Sequence, residues 1–131
     1  MYYLDANICI YFLKGKYQPL QDKFRAISPN KIKIPAIVRG EIMVSVEKGA
    51  KGITRELWNN FFDAFEIVAF DDVAAKQYSI IRADLEMNGK KIGPNDFIIA
   101  ATVLVNNGIL VTHNTNEFKR VPNLIIEDWT I

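Results

Sequence analysis

Gly93-Pro94-Asn95-Asp96-Phe97-Ile98-Ile99-Ala100-Ala101-Thr102-Val103-Leu104-Val105, then Asn106-Asn107-Gly108 and Ile109-Leu110-Val111-Thr112, is the stretch that decides the fold. Phe97 to Val105 is apolar on almost every side, so the pattern predicts a central, buried helix rather than a surface one. Asn106-Asn107-Gly108 ends it, and the branched run from Ile109 to Thr112 reads as a strand.

Outward from that unit, strands and helices continue to alternate. Met1 to Leu4 reads as a short buried strand ending at Asp5. Asn7 is expected to cap a helix over Ile8 to Leu13, stopped near Gly15. A second helix is expected over Leu20 to Ile27, before Ser28-Pro29-Asn30. Lys31 to Pro35 reads as a strand with Ile32 and Ile34 on one face, followed by helices over Ile37 to Val46 and Glu56 to Phe65. Glu66 to Phe70 reads as a strand. Asp71 or Asp72 caps a long helix to Met87, with Ala74, Tyr78, Ile81 and Leu85 on one stripe. Leu124 to Glu127 is a last short strand. This alternation predicts an α/β fold, three layers α/β/α around a mostly parallel sheet, in a single domain over residues 1–131.

The composition narrows the class. Half of the 131 residues are hydrophobic and 24% are charged, which suits one sizeable core and argues against disorder. Apolar runs fall far short of the ~20 residues a membrane span needs. Met1-Tyr2-Tyr3-Leu4-Asp5 lacks the basic start of a signal peptide, so a cytoplasmic protein with no membrane association is expected. The single cysteine, Cys9, fits a reducing compartment and reads as a small core residue. A net charge of +1 neither advertises nor excludes a nucleic-acid partner, because an acidic metal site offsets a basic rim.

In parallel sheets, ligands bind beyond the carboxyl ends of the strands. Asp5 and Asn7 follow the first strand; Thr112, His113, Asn114 and Glu117 follow the Ile109 strand. Glu41 lies in the helix after the Lys31 strand, and Asp96 opens the buried helix. Taken singly, Asp5 reads equally well as a helix cap and Asp96 as a complement to a helix dipole, while Glu41 and Glu117 read first as surface residues. Together they place four carboxylates within reach of one crevice, in positions where unbalanced charge is costly. A divalent cation balances such a cluster, and carboxylate oxygens suit Mg²⁺ or Mn²⁺. One histidine and one cysteine cannot build a structural zinc site. There is no Gly-x-x-x-x-Gly-Lys phosphate loop and no Gly-x-Ser-x-Gly elbow. Phosphodiester hydrolysis is the chemistry that remains.

Five stretches resemble one known family. They are Tyr3-Leu4-Asp5-Ala6-Asn7-Ile8-Cys9-Ile10-Tyr11, Pro35-Ala36-Ile37-Val38-Arg39-Gly40-Glu41, Ile92-Gly93-Pro94-Asn95-Asp96-Phe97-Ile98-Ile99-Ala100-Ala101, Val111-Thr112-His113-Asn114-Thr115-Asn116-Glu117-Phe118, and the ending from Val121-Pro122-Asn123-Leu124 to Glu127-Asp128-Trp129. Each is weak alone; in this order and spacing they resemble the PIN domain, specifically the VapC toxins of toxin–antitoxin pairs. The resemblance implies an endoribonuclease dependent on Mg²⁺ or Mn²⁺, with Asp5, Glu41 and Asp96 as metal-binding acids and Asn7 and Thr112 orienting them. The fourth acidic position falls on Asn114 or on Glu117. The chain departs from the family at Ala6, where Thr or Ser is common, and at Asn114, where many members carry Asp; reduced activity is one consequence. The resemblance also implies an RNA target, often transfer RNA, a homodimer, and a cognate VapB antitoxin that occupies the site in a heterotetramer or larger assembly.

Two other readings stay open: a degenerate PIN domain that only binds, and a different Mg²⁺ phosphohydrolase such as a haloacid-type phosphatase, which would want Asp where Asn7 stands. Arg39 and Lys91 are the expected phosphate contacts, since each neighbours a proposed metal ligand in sequence. His113 reads as a partly exposed structural histidine. Tyr11-Phe12 fits either the core or an antitoxin groove.

Overall fold

In the computed structural model, which describes residues 1–131, strand and helix alternate as β1 (Tyr2–Leu4), α1 (Ala6–Leu13), α2 (Gln18–Ala26), β2 (Ile32–Pro35), α3 (Ala36–Glu47), α4 (Arg55–Asp63), β3 (Glu66–Val68), α5 (Asp72–Met87), α6 (Pro94–Val105), β4 (Ile109–Val111), α7 (Thr115–Phe118) and β5 (Ile125–Glu127). A short 3₁₀ turn, Pro29–Lys31, leads into β2. The strands form one sheet in the order β3-β2-β1-β4-β5, and every pairing is parallel.

That order contains one switch point. From β1 the chain steps to β2 and β3 on one side, then crosses back to β4 and β5 on the other. Right-handed crossovers put the helices of the first steps on one face and those of the later steps on the opposite face. The three-layer arrangement follows. The crevice of such a sheet opens where the direction reverses, here between β1 and β4. Asp5 and Thr112 are the residues that leave those two strands.

The centre of the core is α6, with Phe97, Ile99, Ala100, Ala101, Thr102 and Val103 all buried. Its one buried hydroxyl, on Thr102, donates back to the Ile98 carbonyl at 2.8 Å, so the polar group costs little there. α5 lies along α6 with Ala74, Ile81 and Leu85 buried, as its apolar stripe requires. Where α6 turns into β4, a Cβ on Gly108 would overlap the Tyr3 ring, so the glycine sets how closely the turn approaches β1. Cys9 is buried in the core. No helix is long and apolar enough to cross a membrane.

The structure corrects one expected cap. Asn7 does not cap α1; the helix begins at Ala6, and Asp5, in extended backbone, accepts from the Ile8 amide at 3.0 Å. The four-residue α7 escaped the sequence reading because it is too short to show a period.

Candidate active site

Several polar side chains meet at the head of β1 and β4. Asp5, only 6% exposed, is fixed on both oxygens: Oδ1 caps Ile8, and Oδ2 accepts from the Thr112 hydroxyl at 2.6 Å. The same Thr112 oxygen accepts from the Asn114 amide at 3.0 Å, which bends the chain after β4 back over the crevice. α6 carries Asp96 in its first turn, and α3 carries Glu41. Asn95 donates to Glu41 Oε2 at 3.3 Å, tying the start of α6 to α3, while Glu41 Oε1 is buried and has no partner. Asp5, Ala6, Asn7, Glu41, Asp96, Ile99, Asn114 and Phe118 line the resulting cleft of about 150 Å³.

Glu117 stands beside Asp96 and Gly93. Its Oε1 accepts from the Gly93 amide and its Oε2 from the Asn114 side chain, each at 2.6 Å. A Cβ on Gly93 would stand 3.1 Å from Asp96 Oδ2 and 3.7 Å from Glu117 Oε1, so the glycine makes room for two carboxyls side by side. Asn95 and Gly93 carry no signal in the sequence beyond their adjacency to Asp96 in Gly93-Pro94-Asn95-Asp96.

The electrostatics follow from that crowding. Burial pushes Asp5 up to about 6, the charge of Glu41 adds to the push, and the Thr112 and Ile8 donors oppose it. Asp96 is pushed up to about 7, first by burial, then by the charge of Glu117 and the hydrogen bond between the two carboxyls, with Glu41 and Asp5 adding. Burial would raise Glu117 as well, but donation from Gly93, Asn114 and Asp96, with Arg120 nearby, holds it below its ordinary value. The pair therefore shares one proton, carried on the Asp96 side.

Negative charge collects here, and no salt bridge reaches Asp5, Glu41, Asp96 or Glu117. The donors are all oxygen, Glu41 Oε1 lacks any partner, and burial, with neighbouring charge adding, raises Asp5 and Asp96 above the ordinary carboxylate range. This fits a hard divalent cation. No three carboxylates yet converge closely enough to enclose an ion. Both oxygens of Glu117 are taken up by Gly93 and Asn114.

Residues 2–124 match the PIN domain family. The chain belongs to the PIN-domain family. It is 35% identical over 131 residues to Ribonuclease VapC2 of Rickettsia felis, with 98% of each chain covered. It is 32% identical over 128 residues to the tRNA(fMet)-specific endonuclease VapC of Shigella flexneri, covering 97% of this chain and 96% of that one. In three dimensions it matches a chain of VapBC2 from Rickettsia felis bound to a DNA fragment from their promoter, with a TM-score of 0.84 at 34% identity over 98% of both chains. DNA-bound VapBC from Salmonella typhimurium gives 0.86 at 30% identity, over 98% of this chain and 97% of that one. This PIN domain is of the VapC type, an endoribonuclease of the toxin–antitoxin kind.

Within the PIN fold, Asp5, Asn7, Glu41, Asp96 and Asn114 share one cleft, with Thr112 behind Asp5 and Glu117 against Asp96. Ala6 lines the same cleft without a hydroxyl. Arg39 does not reach it: its guanidinium lies 5.1 Å from the centre of the Phe62 ring. Lys91 lies beside Gly93 and Glu117 on the outer side of α6, and its carbonyl accepts from Arg120 at 3.1 Å. Tyr11 and Phe12 divide. Phe12 stacks on Phe24 at 3.8 Å and borders an apolar groove of about 540 Å³ with Leu13, Leu57, Phe61 and Phe65, whereas Tyr11 turns to Tyr17 and His113.

Proposed function

We propose that this crevice hydrolyses RNA phosphodiester bonds with a divalent cation, Mg²⁺ or Mn²⁺, held by Asp5, Asp96 and Glu41, with Glu117 or Asn114 in the fourth position. The observation that carries the reading is Glu41 Oε1, a buried carboxylate oxygen without a donor, at a cleft where burial and neighbouring carboxylates raise two further carboxyls above their ordinary range. Once bound, the cation would lower the pKa of a water and neutralise charge on the scissile phosphate.

The residues of the chain do the rest. Thr112 and the start of α1 hold Asp5 in one orientation, and Asn95 holds Glu41. Asp96 is the group with a proton to give up when a cation enters. The whole chain acts as one PIN domain in this reading. Transfer RNA is the proposed substrate, supported by the Shigella relative, whose name specifies tRNA(fMet). A VapB-type antitoxin is the proposed inhibitor, supported by the VapBC neighbours, and the groove between α1, α2 and α4 is where an apolar antitoxin helix would lie. A homodimer, built into a heterotetramer or larger assembly with antitoxin, is the proposed form. Arg39 and Lys91 enter as phosphate contacts only if the RNA wraps beyond the cleft.

Cleavage of a transfer RNA in Mn²⁺, compared with excess EDTA, tests the reading; undiminished cleavage in EDTA rejects it. A second reading, a PIN domain that binds RNA and cuts it weakly, is favoured by one observation: Glu117 is tied away from the cleft by Gly93 and Asn114. RNA binding without metal-stimulated cleavage would single it out.

A further inference from the structure

Beside the crevice stands a cluster of rings that the hydrolysis as described does not use. Tyr11 and Tyr17 meet edge to face with centroids 5.2 Å apart. His113 completes the group, 5.9 Å from Tyr17 and 6.4 Å from Tyr11. Tyr17 is 39% exposed and the His113 side chain 47%, so ring surface faces solvent. The place is set by the backbone. His113 directly follows Thr112, whose hydroxyl holds Asp5, and precedes Asn114, which lines the acidic cleft, so the ring cluster adjoins that cleft through His113. The influence of His113 on the Asp5 carboxyl agrees with that closeness.

Two features show that the rings are held rather than loose. His113 Nδ1 lies 3.0 Å from Asp128 Oδ2 and 2.9 Å from the Thr130 hydroxyl oxygen, and that hydroxyl donates to Asp128 Oδ1 at 2.6 Å. The network assigns the ring proton to Nδ1, because the hydroxyl has already given its own to Asp128. Tyr17, at the start of α2, has φ 59°, a left-handed conformation that a bulky residue adopts only under constraint, and its side chain caps nothing. Strain kept in an exposed aromatic next to an active site points to use of the ring. Cationic side chains complete the surface: the Lys16 ammonium stands 5.8 Å from the Tyr11 ring centre, and Lys14 is exposed at the end of α1.

Exposed rings with lysines between them match a single-stranded nucleic acid, whose bases offer π faces and whose phosphates offer charge at neighbouring positions. A base inside a helix has its faces covered, so the partner must be unpaired. We propose that Tyr17, braced by Tyr11 and His113, is a stacking platform for an unpaired base of the RNA beside the bond that is cut, with Lys16 on the adjoining phosphate. The proposal rests on the RNA-hydrolysis reading above.

The test uses a labelled oligoribonucleotide containing the cleavage site. Tyr17→Ala should raise KM about tenfold, within the range that loss of one base stack produces, with a smaller change in kcat, and Tyr17→Trp should restore KM. Abasic residues placed one at a time around the cut site supply the second arm. At the stacked position native protein and Tyr17→Ala should become alike; at other positions the tenfold difference should remain. An unchanged KM in Tyr17→Ala, or a difference that persists at every abasic position, overturns the platform. So does a Tyr17→Ala that binds RNA normally but escapes antitoxin inhibition, since the rings would then serve the protein partner. If native protein cuts no RNA, the hydrolysis reading fails by itself. Anisotropy with the same oligonucleotide then replaces KM, and equal affinity of native protein and Tyr17→Ala overturns the platform.

Discussion

Across 107 residues of sequence, the Thr112 hydroxyl donates to Asp5 Oδ2 at 2.6 Å, joining the ends of the two central strands at the switch point of the sheet. The Ile8 amide takes the other oxygen, so the acid that opens α1 is also the one the crevice presents.

Thr112→Val keeps the shape and removes that donor. The buried carboxylate loses about half of its hydrogen bonding, and an unsatisfied buried group of this kind costs roughly 1–3 kcal/mol. The loss bears on the charged form, so the Asp5 carboxyl should move further up. The destabilisation should therefore be larger at pH 8 than at pH 5, together with weaker RNA cleavage. Urea melts at the two pH values check this; an equal loss at both would mean that the hydroxyl serves packing alone.

Metal-free protein should become less stable as pH rises. Asp5 and Asp96 hold their protons to about 6 and about 7 when folded, whereas the unfolded chain releases them near the ordinary carboxylate value. Between those limits the native state binds more protons, so stability falls with pH over roughly 4 to 7. In EDTA at pH 8, Asp96→Asn should melt above native protein while losing cleavage. Mn²⁺ should raise the melting temperature of native protein and do so much less for the variant. A native protein indifferent to Mn²⁺ and destabilised by Asp96→Asn would mean that Asp96 only complements the α6 dipole.

Glu117→Gln should leave more cleavage than Asp96→Asn does, and Asn114→Ala should reduce cleavage too. With the Glu117 charge gone, the main charge pushing Asp96 up is removed, so Asp96 should titrate lower. Carbon-13 NMR of the carboxyls reads this directly. An Asp96 titration unmoved by Glu117→Gln contradicts the shared proton.

Two glycine substitutions should act in opposite directions. Gly108→Ala drives a methyl into the rigid, buried Tyr3 ring and should cost about 1–3 kcal/mol or more. Gly40, inside α3, has nothing within 4 Å of an added Cβ, so Gly40→Ala should stabilise by roughly 0.5–1 kcal/mol. Denaturant midpoints of the two variants decide.

Much of this architecture was legible in the sequence where a period was long enough to read. The all-apolar α6 gave its own burial, and the strand ends gave Asp5 and Thr112 their shared position. Short-range competition hid the rest. Asp5 and Asn7 are both good caps, and only the extended backbone of Asp5 decides between them. The clamp of Glu117 by Gly93 joins residues 24 apart through a backbone amide, which no side-chain pattern announces. The His113–Asp128–Thr130 network depends on β5 pairing beside β4, and the left-handed backbone of Tyr17 carries no mark in a tyrosine.

The interleaved strand order also governs when the site comes into being during translation. β1 emerges first, but its neighbour β4 is made only after β2, β3, α5 and α6. Until Thr112, Asn114 and Glu117 have left the ribosome, Asp5 has no hydroxyl partner and the cleft lacks a wall. The acidic cleft is therefore assembled only when the first and the last parts of the chain come together. The groove between α1, α2 and α4 draws all its lining from residues up to Phe65, so its sequence is made before the last residues of the cleft.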